Sequence, residues 1–412
     1  MLDRLTIERM LAWTGEKPVL VALSGGGDSV ALLHLLLSEL GADHMRAVVV
    51  DHSLRDGSDV DAKRAAAFAS ALGVSAEILT LRWEHDANRA QQSARAARYR
   101  AICGHARVHG VNTIAVAHTA DDQAETVLMR AANGSTWRGL AGIAPFAFAP
   151  IWPEGRGIAL ARPLLGVRRA ALRAYLNDVR AAWIEDPANT NPQFERVRVR
   201  QRLAERESEE FDPMRLVRLA ERLRARSDAL DERALELIAR ATSLSKGVVT
   251  VSREKWSAPR EVRRRALSAL MVAASGAGRE PPWTEMEALE CRSMNQDYAA
   301  WTNSGVEFRC GDHGVALLRE QGAVLGRADG VAPLAALPLA VNVEAVWDGR
   351  IAVRASEPGW RVVPARNKAR AAFENGPLRR KFEDAGPPLC VRSLAAERVA
   401  HAFAPDINRS KP

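Results

Sequence analysis

The sequence predicts an α/β protein: a doubly wound parallel sheet in the N-terminal half, followed by a mainly helical domain and a small α+β domain at the C-terminus. Two observations predict the sheet. Apolar runs of strand length alternate with helical patterns between residues 19 and 117, and a glycine-rich turn directly follows the first run. The later domains are predicted by a third observation, because long amphipathic segments rich in arginine replace this alternation from about residue 212.

The expected domain boundaries follow these changes of pattern. A length of 412 residues suits two to three domains at roughly 150 residues each. We expect domains at 1–210, 211–325 and 340–412. The stretch 322–338, which is rich in glycine, alanine and proline, is the candidate linker before the last of them.

The composition narrows the class of protein. A hydrophobic share of 47% and a charged share of 26% are ordinary for a globular chain, whereas the net charge of +8 favours an acidic partner such as nucleic acid. The four cysteines are far apart and form no C-x-x-C pair, which fits a reducing cytoplasm and argues against a zinc ribbon or an iron–sulfur site. Mixed charges in the first ten residues and no apolar run near the roughly 20 residues of a membrane span indicate a cytoplasmic protein without a membrane partner.

Four runs are the candidate strands of the sheet, at 19–23, 47–50, 76–81 and 113–117. Helical patterns separate them, which predicts βαβ units with helices on both faces of parallel strands. Ligands of such open sheets bind at the carboxyl ends of the strands. The residues that directly follow each strand therefore form the candidate site.

The turn after the first strand reads Ser24-Gly25-Gly26-Gly27-Asp28-Ser29. Without Cβ atoms, the three glycines let backbone amides close around an anion while the chain turns into a helix. Ser29 can cap that helix, and an acid such as Asp28 inside an anion loop makes sense if a cation accompanies phosphates. The loop lacks the Gly-Lys-Ser/Thr ending of a Walker A motif and does not fit GxGxxG. A tight turn that binds nothing is the alternative.

Acidic residues follow two further strands. Asp51 comes directly after the second strand, although an Asp in that position is often just a turn former. The stretch from His118 to Thr126 follows the fourth strand and is typical of a helix start. Within it, Asp122 and Glu125 are three residues apart, so both project to one face and could hold a cation or an amine. Stabilisation of the positive end of the helix dipole is the simpler alternative.

The motifs of the first half occur in a specific order. SGGGDS, VDHSLR, SARAARY, AHTADDQAET, RPLL and WIEDPANTNPQFERVRVR follow one another along the chain. In this order the sequence resembles the tRNA(Ile)-lysidine synthases, lysidine synthetases of the N-type PP-loop ATP pyrophosphatase superfamily. The family usually has Arg-Asn-Arg-Ile-Arg where this chain has Arg196-Val197-Arg198-Val199-Arg200, a difference that keeps the arginines and puts one local polar contact in doubt.

The resemblance implies a PP-loop domain with an adenine nucleotide alpha-hydrolase-like fold, and it implies a reaction. With ATP and Mg²⁺, free L-lysine would be ligated to C2 of the wobble cytidine of the isoleucine tRNA with a CAU anticodon. The reaction passes through an adenylated cytidine and gives lysidine, AMP and pyrophosphate. Another PP-loop tRNA-modifying enzyme, such as a tRNA thiolase, and a non-catalytic RNA-binding protein are the alternatives. Both a monomer and a homodimer stay open.

Site roles follow from the same resemblance. Catalytic roles are implied for Asp28, Asp122, Glu125 and His118. ATP binding is implied for the loop and the next strand end, with Asp28 and Asp51 oriented toward magnesium: Ser24, Gly25, Gly26, Gly27, Asp28, Ser29 and Asp51. Substrate binding is implied for two acids that would bind lysine and for basic residues that would face RNA: Asp122, Glu125, Arg162, Arg196, Arg198, Arg200, Arg379, Arg380 and Lys381.

Local patterns beyond residue 210 predict further elements. A long amphipathic helix is expected at 212–241 and a second helix at 259–275. In the second helix, the cluster Arg263 to Arg265 could contact an RNA backbone or form a solvated face. Short strands are expected at 301–319 and at 339–356, and a short helix at 377–388.

One histidine pair stands apart from these motifs. His105 and His109 lie four residues apart on a predicted helix. The segment lacks the Glu of an HExxH motif, and no third ligand is expected nearby. We therefore expect a surface or packing role for this pair.

Overall fold

The structure is a computed structural model that describes residues 1–53, 56–83, 91–185, 193, 195–208, 211–245, 247–276, 280–294 and 299–403. Parts of two predicted motifs, VDHSLR at Leu54 and Arg55 and the WIEDPANTNPQFER segment at 186–192 and 194, lie outside these residues. The described chain divides into two compact units, 1–227 and 228–403. The expected division into three domains stays a prediction.

The first unit alternates helices with strands. Its elements are α1 (Arg4–Thr14), β1 (Val19–Ala22), α2 (Gly27–Leu40), β2 (Met45–Asp51), α3 (Ser58–Ala71), β3 (Ser75–Thr80), α4 (Gln91–Val108), β4 (Thr113–Ala115), α5 (Ala120–Ala132), α6 (Trp137–Leu140), β5 (Phe146–Phe148), β6 (Ala159–Ala161), α7 (Arg169–Asp178), α8 (Glu195–Ser208) and the first part of α9 (Met214–Ala241). All four predicted strands are confirmed, with bounds that differ by at most two residues.

The described residues of the first unit form a six-stranded sheet in the order β3-β2-β1-β4-β6-β5. Neighbouring strands are parallel, except that β5 runs antiparallel to β6 at the edge. The predicted doubly wound parallel sheet is therefore confirmed, with an antiparallel edge strand added. The sequence did not reveal β5 and β6 because a three-residue strand is too short to display a period.

Side chains of the strands alternate between two cores, one on each face of the sheet. Val19 and Val21 of β1 lie in the core that α1, α2, α3 and α7 complete, whereas Leu20 lies in the core that α4 completes. This separation follows from the two-residue period of a strand. Helices cover both faces of the sheet. The polar groups at the carboxyl ends of the strands therefore come from the loops and helix starts that follow these strands.

The second unit begins within α9 and is mainly antiparallel. Its elements are β7 (Thr242–Ser245), β8 (Val248–Ser252), α10 (Arg260–Ser275), α11 (Met286–Met294), β9 (Ala300–Asn303), β10 (Val306–Gly311), β11 (Gly314–Arg319), α12 (Gln321–Leu325), β12 (Leu337–Pro338), β13 (Ala345–Trp347), β14 (Ile351–Ala355), β15 (Arg361–Pro364), β16 (Ala371–Asn375), β17 (Leu378–Lys381), β18 (Leu389–Ser393) and α13 (Ala395–His401). The helices predicted at 212–241 and 259–275 and the strands predicted at 301–319 and 339–356 are confirmed.

Three sheets organise the described residues of this unit. The order of the first is β7-β8-β11-β10-β9, that of the second β12-β15-β16-β17, and that of the third β13-β14-β18. The second and third share one apolar core with Val324 of α12. The expectation of a linker at 322–338 is thus wrong at its start, because Val324 is fully buried. No helix within the described ranges is both long and apolar enough to cross a membrane.

The short helix predicted at 377–388 is wrong. Residues 378–381 form the edge strand β17, in which Arg380 pairs with Phe373 of β16, and a short 3-10 turn follows at Phe382–Asp384. The overlooked signal is the Gly376-Pro377 turn, where Gly376 has a positive φ of 56° and closes a two-residue hairpin between Asn375 and Leu378. Charged side chains are common on such an edge strand.

The arginine cluster of α10 contacts acids. Arg265 has 1% relative exposure, and its guanidinium lies 2.5 Å from Asp231 and 3.1 Å from Glu280. Arg263 lies 2.6 Å from Glu290, and Arg264 contacts Glu287 at 2.8 Å. Both alternatives, an RNA contact and a solvated face, are wrong for Arg265, because a buried guanidinium reaches neither a phosphate backbone nor water.

We expect Arg265→Ala to destabilise the second unit by about 3–5 kcal/mol, because loss of one partner leaves buried charge uncompensated. Chemical denaturation followed by circular dichroism measures this change. Arg233→Ala is the matched control, since Arg233 is exposed on α9 and its loss should cost within about 0.5 kcal/mol. Equal effects of the two substitutions would contradict a structural role for Arg265.

Candidate active site

The glycine turn of the first unit is shaped by its own serines. The hydroxyl of Ser29 donates to the carbonyl of Gly26 at 2.9 Å and accepts from the backbone N–H of Ser24 at 3.2 Å. Gly26 is the N-cap of α2, and Gly25 has a φ of +83°, which L side chains rarely adopt. The loop therefore presents the amino end of α2, a favourable position for an anion.

A distant segment packs on this loop. The backbone N–H of Ile184 donates to the carbonyl of Gly25 at 2.9 Å, and a Cβ on Gly25 would lie 2.7 Å from Cδ1 of Ile184. At Gly27, by contrast, a Cβ would make only ordinary van der Waals contact with Trp183, at 3.6 Å. Gly25 thus makes room for Ile184 in addition to any ligand. Trp183 and Ile184 begin the WIEDPANTNPQFERVRVR motif, but nothing in the pattern of that motif indicates a contact with the glycine turn.

Asp28 occupies the first turn of α2 and is bound by an arginine that we did not single out from the sequence. Its carboxylate accepts a hydrogen bond from Nε of Arg169 at 3.0 Å. Burial raises the pKa of Asp28 above its ordinary value, although Arg169 opposes that shift. Arg169 begins α7, and its backbone N–H donates to Asp121 at 2.7 Å. Asp121 thereby fixes the start of α7 against the start of α5.

The two oxygens of Asp122 have different partners. Oδ2 accepts from the backbone N–H and the hydroxyl of Thr119, at 2.8 and 3.0 Å, which completes a capping box at the start of α5. Oδ1 accepts from Arg196 at 2.8 Å and from Arg169 at 3.2 Å. Burial alone would raise the pKa of Asp122, but Arg196 and Arg169 hold it below its ordinary value. Asp122 thus caps α5 through one oxygen and pairs with arginines of its own chain through the other, while binding of an added cation or amine stays a prediction.

Glu125 is the most deeply buried acid of the cluster, with a side-chain exposure of 1%. Its two oxygens accept from Nε of Arg196 at 2.6 Å and from Nε of Arg200 at 2.8 Å, and Arg169 lies 3.7 Å away. Asp28, Asp122 and Glu125 are therefore brought together by Arg169, Arg196 and Arg200. We call these six residues the charge cluster.

The three predicted arginines of α8 differ in their contacts. Arg196 and Arg200 point into the charge cluster, whereas Arg198 donates to the carbonyl of Gln193 at 2.9 Å. Val197, which replaces the usual Asn of the family, is 7% exposed and joins the buried apolar residues. A role of these arginines in RNA binding stays a prediction.

His118 and Arg162 follow the carboxyl ends of β4 and β6. Burial first, and then the charge of Arg162, lower the pKa of His118 to about 3, so its imidazole is neutral at physiological pH. Arg162 donates to the carbonyl of Ala144 at 2.7 Å. Within the described chain, Nδ1 of His118 and Nε of Arg162 are buried without a hydrogen-bond partner. Buried polar atoms of this kind call for a partner, and a ligand can supply it.

The remaining predicted residues have partners of their own among the described residues. Asp51 is buried, and its carboxylate accepts from the backbone N–H and hydroxyl of Ser53, at 2.9 and 3.3 Å. Arg379 contacts Glu374 at 3.3 Å, and Arg380 donates to the carbonyls of residues 386 and 387; with the exposed Lys381 they belong to the second unit.

Comparison with known proteins identifies the chain. A family model described as a PP-loop domain matches residues 3–207. The tRNA(Ile)-lysidine synthase of Hyphomonas neptunium is 41% identical over 270 residues, which cover 65% of this chain and 71% of that protein.

The chain belongs to the tRNA(Ile)-lysidine synthase family.

Other family members extend the match. The tRNA(Ile)-lysidine synthase of Rhizobium meliloti is 34% identical over 391 residues, 90% of this chain and 79% of that protein. The one from Bradyrhizobium sp. is 37% identical over 321 residues, 73% of this chain and 86% of that protein. The resemblance that the motifs carried is thereby confirmed, and the PP-loop fold of the first unit agrees with the family model.

We expect Gly25→Ala to weaken ATP binding at least tenfold, because the added Cβ must displace Ile184 and Ala65 from the loop that the sequence predicts to hold the ATP phosphates. The Gly25→Ala substitution should also lower the free energy of unfolding by about 1–2 kcal/mol, because alanine would have to adopt a left-handed backbone conformation. Equilibrium dialysis with ATP and unfolding curves measure the two effects.

Gly15→Ala separates strain from displacement. Gly15 has a φ of +63° and open space around its Cβ position, so this variant carries the same kind of backbone strain without a clash. It should bind ATP normally. Identical ATP affinity of both variants and the parent protein would refute the assignment of the loop.

Proposed function

We propose that the protein ligates free lysine to C2 of the wobble cytidine of the isoleucine tRNA with a CAU anticodon and converts ATP to AMP and pyrophosphate. The observation that carries the proposal is the charge cluster. It connects the glycine turn Ser24–Ser29, which we call the phosphate loop, through Arg169 to the paired acids of α5. This cluster belongs to a chain 41% identical to a tRNA(Ile)-lysidine synthase. Such a reaction is expected in the cytoplasm.

Two chemical steps are needed. The oxygen on C2 of cytosine is a poor leaving group, so it first attacks the α-phosphorus of ATP and pyrophosphate departs. The side-chain amine of lysine then attacks C2, loses a proton, and AMP departs with the original oxygen. One site must therefore hold the ATP phosphates, the cytosine and an amine in contact with each other.

The loop and α2 supply the phosphate site in this proposal. Backbone amides at the amino end of α2 would hold the triphosphate, because a helix start favours negative charge. Asp28 fits a role in Mg²⁺ binding, since its carboxylate is 25% exposed and lies at this helix start. Asp51 fits less directly, because Ser53 already occupies both of its oxygens. When bound, Mg²⁺ supplies positive charge that offsets the charge developing on pyrophosphate.

The charge cluster fits an amino acid that carries both signs of charge. Free lysine has two ammonium groups and one carboxylate, and the cluster offers acids and arginines within one small volume. The carboxylate oxygens of Asp122 and Glu125 already form five ion pairs with guanidinium nitrogens of Arg169, Arg196 and Arg200, with N···O distances of 2.6 to 3.7 Å. An ammonium group of lysine could exchange with one guanidinium at little electrostatic cost. The arginine released in this way could pair with the carboxylate of lysine.

Proton transfer assigns distinct parts to the acids and to His118. The lysine ammonium has an ordinary pKa of about 10.4, so it must lose a proton before attack. We assign acceptance of this proton to the carboxylates of Asp122 and Glu125. With a pKa of about 3, His118 stays neutral and is suited to orient the cytosine through a hydrogen bond. The buried cation Arg162 would stabilise the negative charge that develops beside it.

Binding of tRNA involves both units in this proposal. Arg198 on α8 and the exposed residues Arg379 and Lys381 on β17 are the candidate phosphate contacts, in line with a net charge of +8. Arg380 is a weaker candidate, since its guanidinium already donates to two carbonyls.

The proposal is tested by measuring release of AMP and pyrophosphate with purified protein. We expect release from ATP and Mg²⁺ to depend on the CAU-anticodon isoleucine tRNA, and incorporation of radiolabelled lysine into that tRNA. Asp28→Asn should lower turnover at least 100-fold, while Asp43→Asn, at an exposed acid of the same unit, should leave it unchanged. Turnover with a thiol donor in place of lysine would instead indicate a tRNA thiolase.

The lysine site is tested separately with Glu125→Gln. Loss of a charge-assisted hydrogen bond is worth about 1.5–3 kcal/mol, so half-saturation should require roughly tenfold or more lysine. Half-saturation by ATP should stay the same, because the partners of Glu125 among the described residues are arginines of α7 and α8 and not the loop. Glu39→Gln, at an exposed acid paired with Arg4, is the control and should change neither value. An unchanged lysine response in a correctly folded Glu125→Gln protein would refute this assignment.

A further inference from the structure

A histidine pair meets a glutamate in the first unit, at a place that the proposed reaction does not use. His105 lies near the end of α4, and the backbone N–H of His109 donates to the carbonyl of His105 at 3.1 Å. The helical turn thus continues through His109, which leaves the two ring centroids 4.4 Å apart. Glu77 of β3 faces both rings. The expectation that no third ligand lies near this pair is therefore wrong.

The distances fit a shared cation better than direct hydrogen bonds. Oε2 of Glu77 lies 3.7 Å from Nδ1 of His105, and Oε1 lies 3.4 Å from Nε2 of His109. An N–H···O hydrogen bond would be about 2.7–3.2 Å long. Around a tetrahedral ion with bonds of about 2.0–2.1 Å, neighbouring ligand atoms are about 3.4 Å apart. One ligand atom from each residue lies within 4.8 Å of the others, so small side-chain rotations would complete such a set.

The donor set selects the class of metal. Two imidazoles and one carboxylate suit zinc and related transition metals, whereas magnesium prefers oxygen ligands. Glu77 has a side-chain exposure of 46% and His109 one of 29%, so water can reach a fourth position. Burial, which outweighs the nearby charge of Glu77, lowers the pKa of His105, and this direction favours the unprotonated nitrogen that a metal binds. Arg46 on β2 also lowers this pKa and is the charge that opposes a cation here.

The position of the cluster separates it from the phosphate loop. Glu77 lies on β3, the edge strand of the sheet that the described residues form. His105 and His109 close α4, just before the amino end of β4 at Thr113, whereas the loop follows the carboxyl end of β1. In a parallel sheet all amino ends of the strands lie on one side and all carboxyl ends on the other, so the histidine pair and the loop are on opposite sides. A metal ion bound by the three residues would connect the edge strand to the helix that crosses over it.

We propose that Glu77, His105 and His109 form a binding site for a divalent transition-metal ion, with Zn²⁺ favoured by the donor set. The ion would stabilise the outer edge of the first unit by clamping β3 to the end of α4. It takes no part in the reaction proposed above, and its test does not depend on that reaction.

Cobalt(II) is the probe that reports geometry. Full-length protein is freed of metal with a chelator and titrated with Co²⁺ in excess Mg²⁺, which occupies sites with oxygen ligands. We expect one equivalent of Co²⁺ to bind with the visible absorption bands of a tetrahedral complex and without a thiolate charge-transfer band. Zn²⁺ should displace it and raise the melting temperature of the protein. A thiolate band would assign the metal to exposed cysteines such as Cys291 or Cys390 and overturn the proposal.

Two ligand variants and one control test the assignment. Glu77→Gln and His109→Gln each remove one exposed ligand and should fold normally, yet weaken Zn²⁺ binding more than about 100-fold, the upper range for loss of an outer-shell partner. His44→Gln, at an exposed histidine outside the cluster, should bind Zn²⁺ like the parent protein. Equal Zn²⁺ affinity in all three variants, or no stoichiometric binding in the parent protein, would overturn the proposal.

Discussion

The buried carboxylate of Glu125 is the constraint on which the site depends. An ionised group with 1% exposure is costly unless cations and hydrogen bonds compensate it, and three arginines from α7 and α8 do so here. Arg169 and Arg196 also bind Asp122, and Arg169 reaches Asp28 at the phosphate loop. Four helices, α2, α5, α7 and α8, thus meet through charges in addition to apolar packing. Such a meeting point is adaptable, because one cation can replace another without exposing a bare acid.

Much of the fold was predictable because its signals are local and repetitive. The parallel sheet follows from alternating apolar runs, and the polar groups at the ends of its strands follow from Asp51 at the end of β2 and from Asp28 and Asp122 at the helix starts after β1 and β4. Two kinds of feature were not predictable. β5 and β6 are too short for a period, and β17 was mistaken for a helix because its charged residues outweighed the turn signal at Gly376. Pairing with the distant β4 determines the conformation of β6, whereas β17 pairs with its neighbour β16 across a tight turn.

The residues of the site were easier to find than their partners. Asp122 and Glu125 are conspicuous in sequence because they share one face of a helix start, and the structure brings them together. Arg169, Ile184 and Glu77 carry no such signal, since each acts on residues far away in the chain. Arg265 shows the converse: its basic neighbours suggested a surface, but it is buried and paired with Asp231 and Glu280, which come from two separate segments of the second unit. Sequence reasoning locates charged groups, whereas tertiary contacts determine what each charge faces.

The contact between Gly25 and Ile184 has a consequence for the order of folding. The phosphate loop is translated early, but the residues that cover it leave the ribosome only when most of the first unit has been made. Contacts between such distant residues form late, because the intervening chain must first lose much of its freedom. A nascent chain would therefore hold an incomplete loop until α7 and its following segment dock. Nucleotide binding would then require that the whole first unit has folded. A chain interrupted before residue 183 would contain all three glycines, but the contact of Ile184 with Gly25 would be missing.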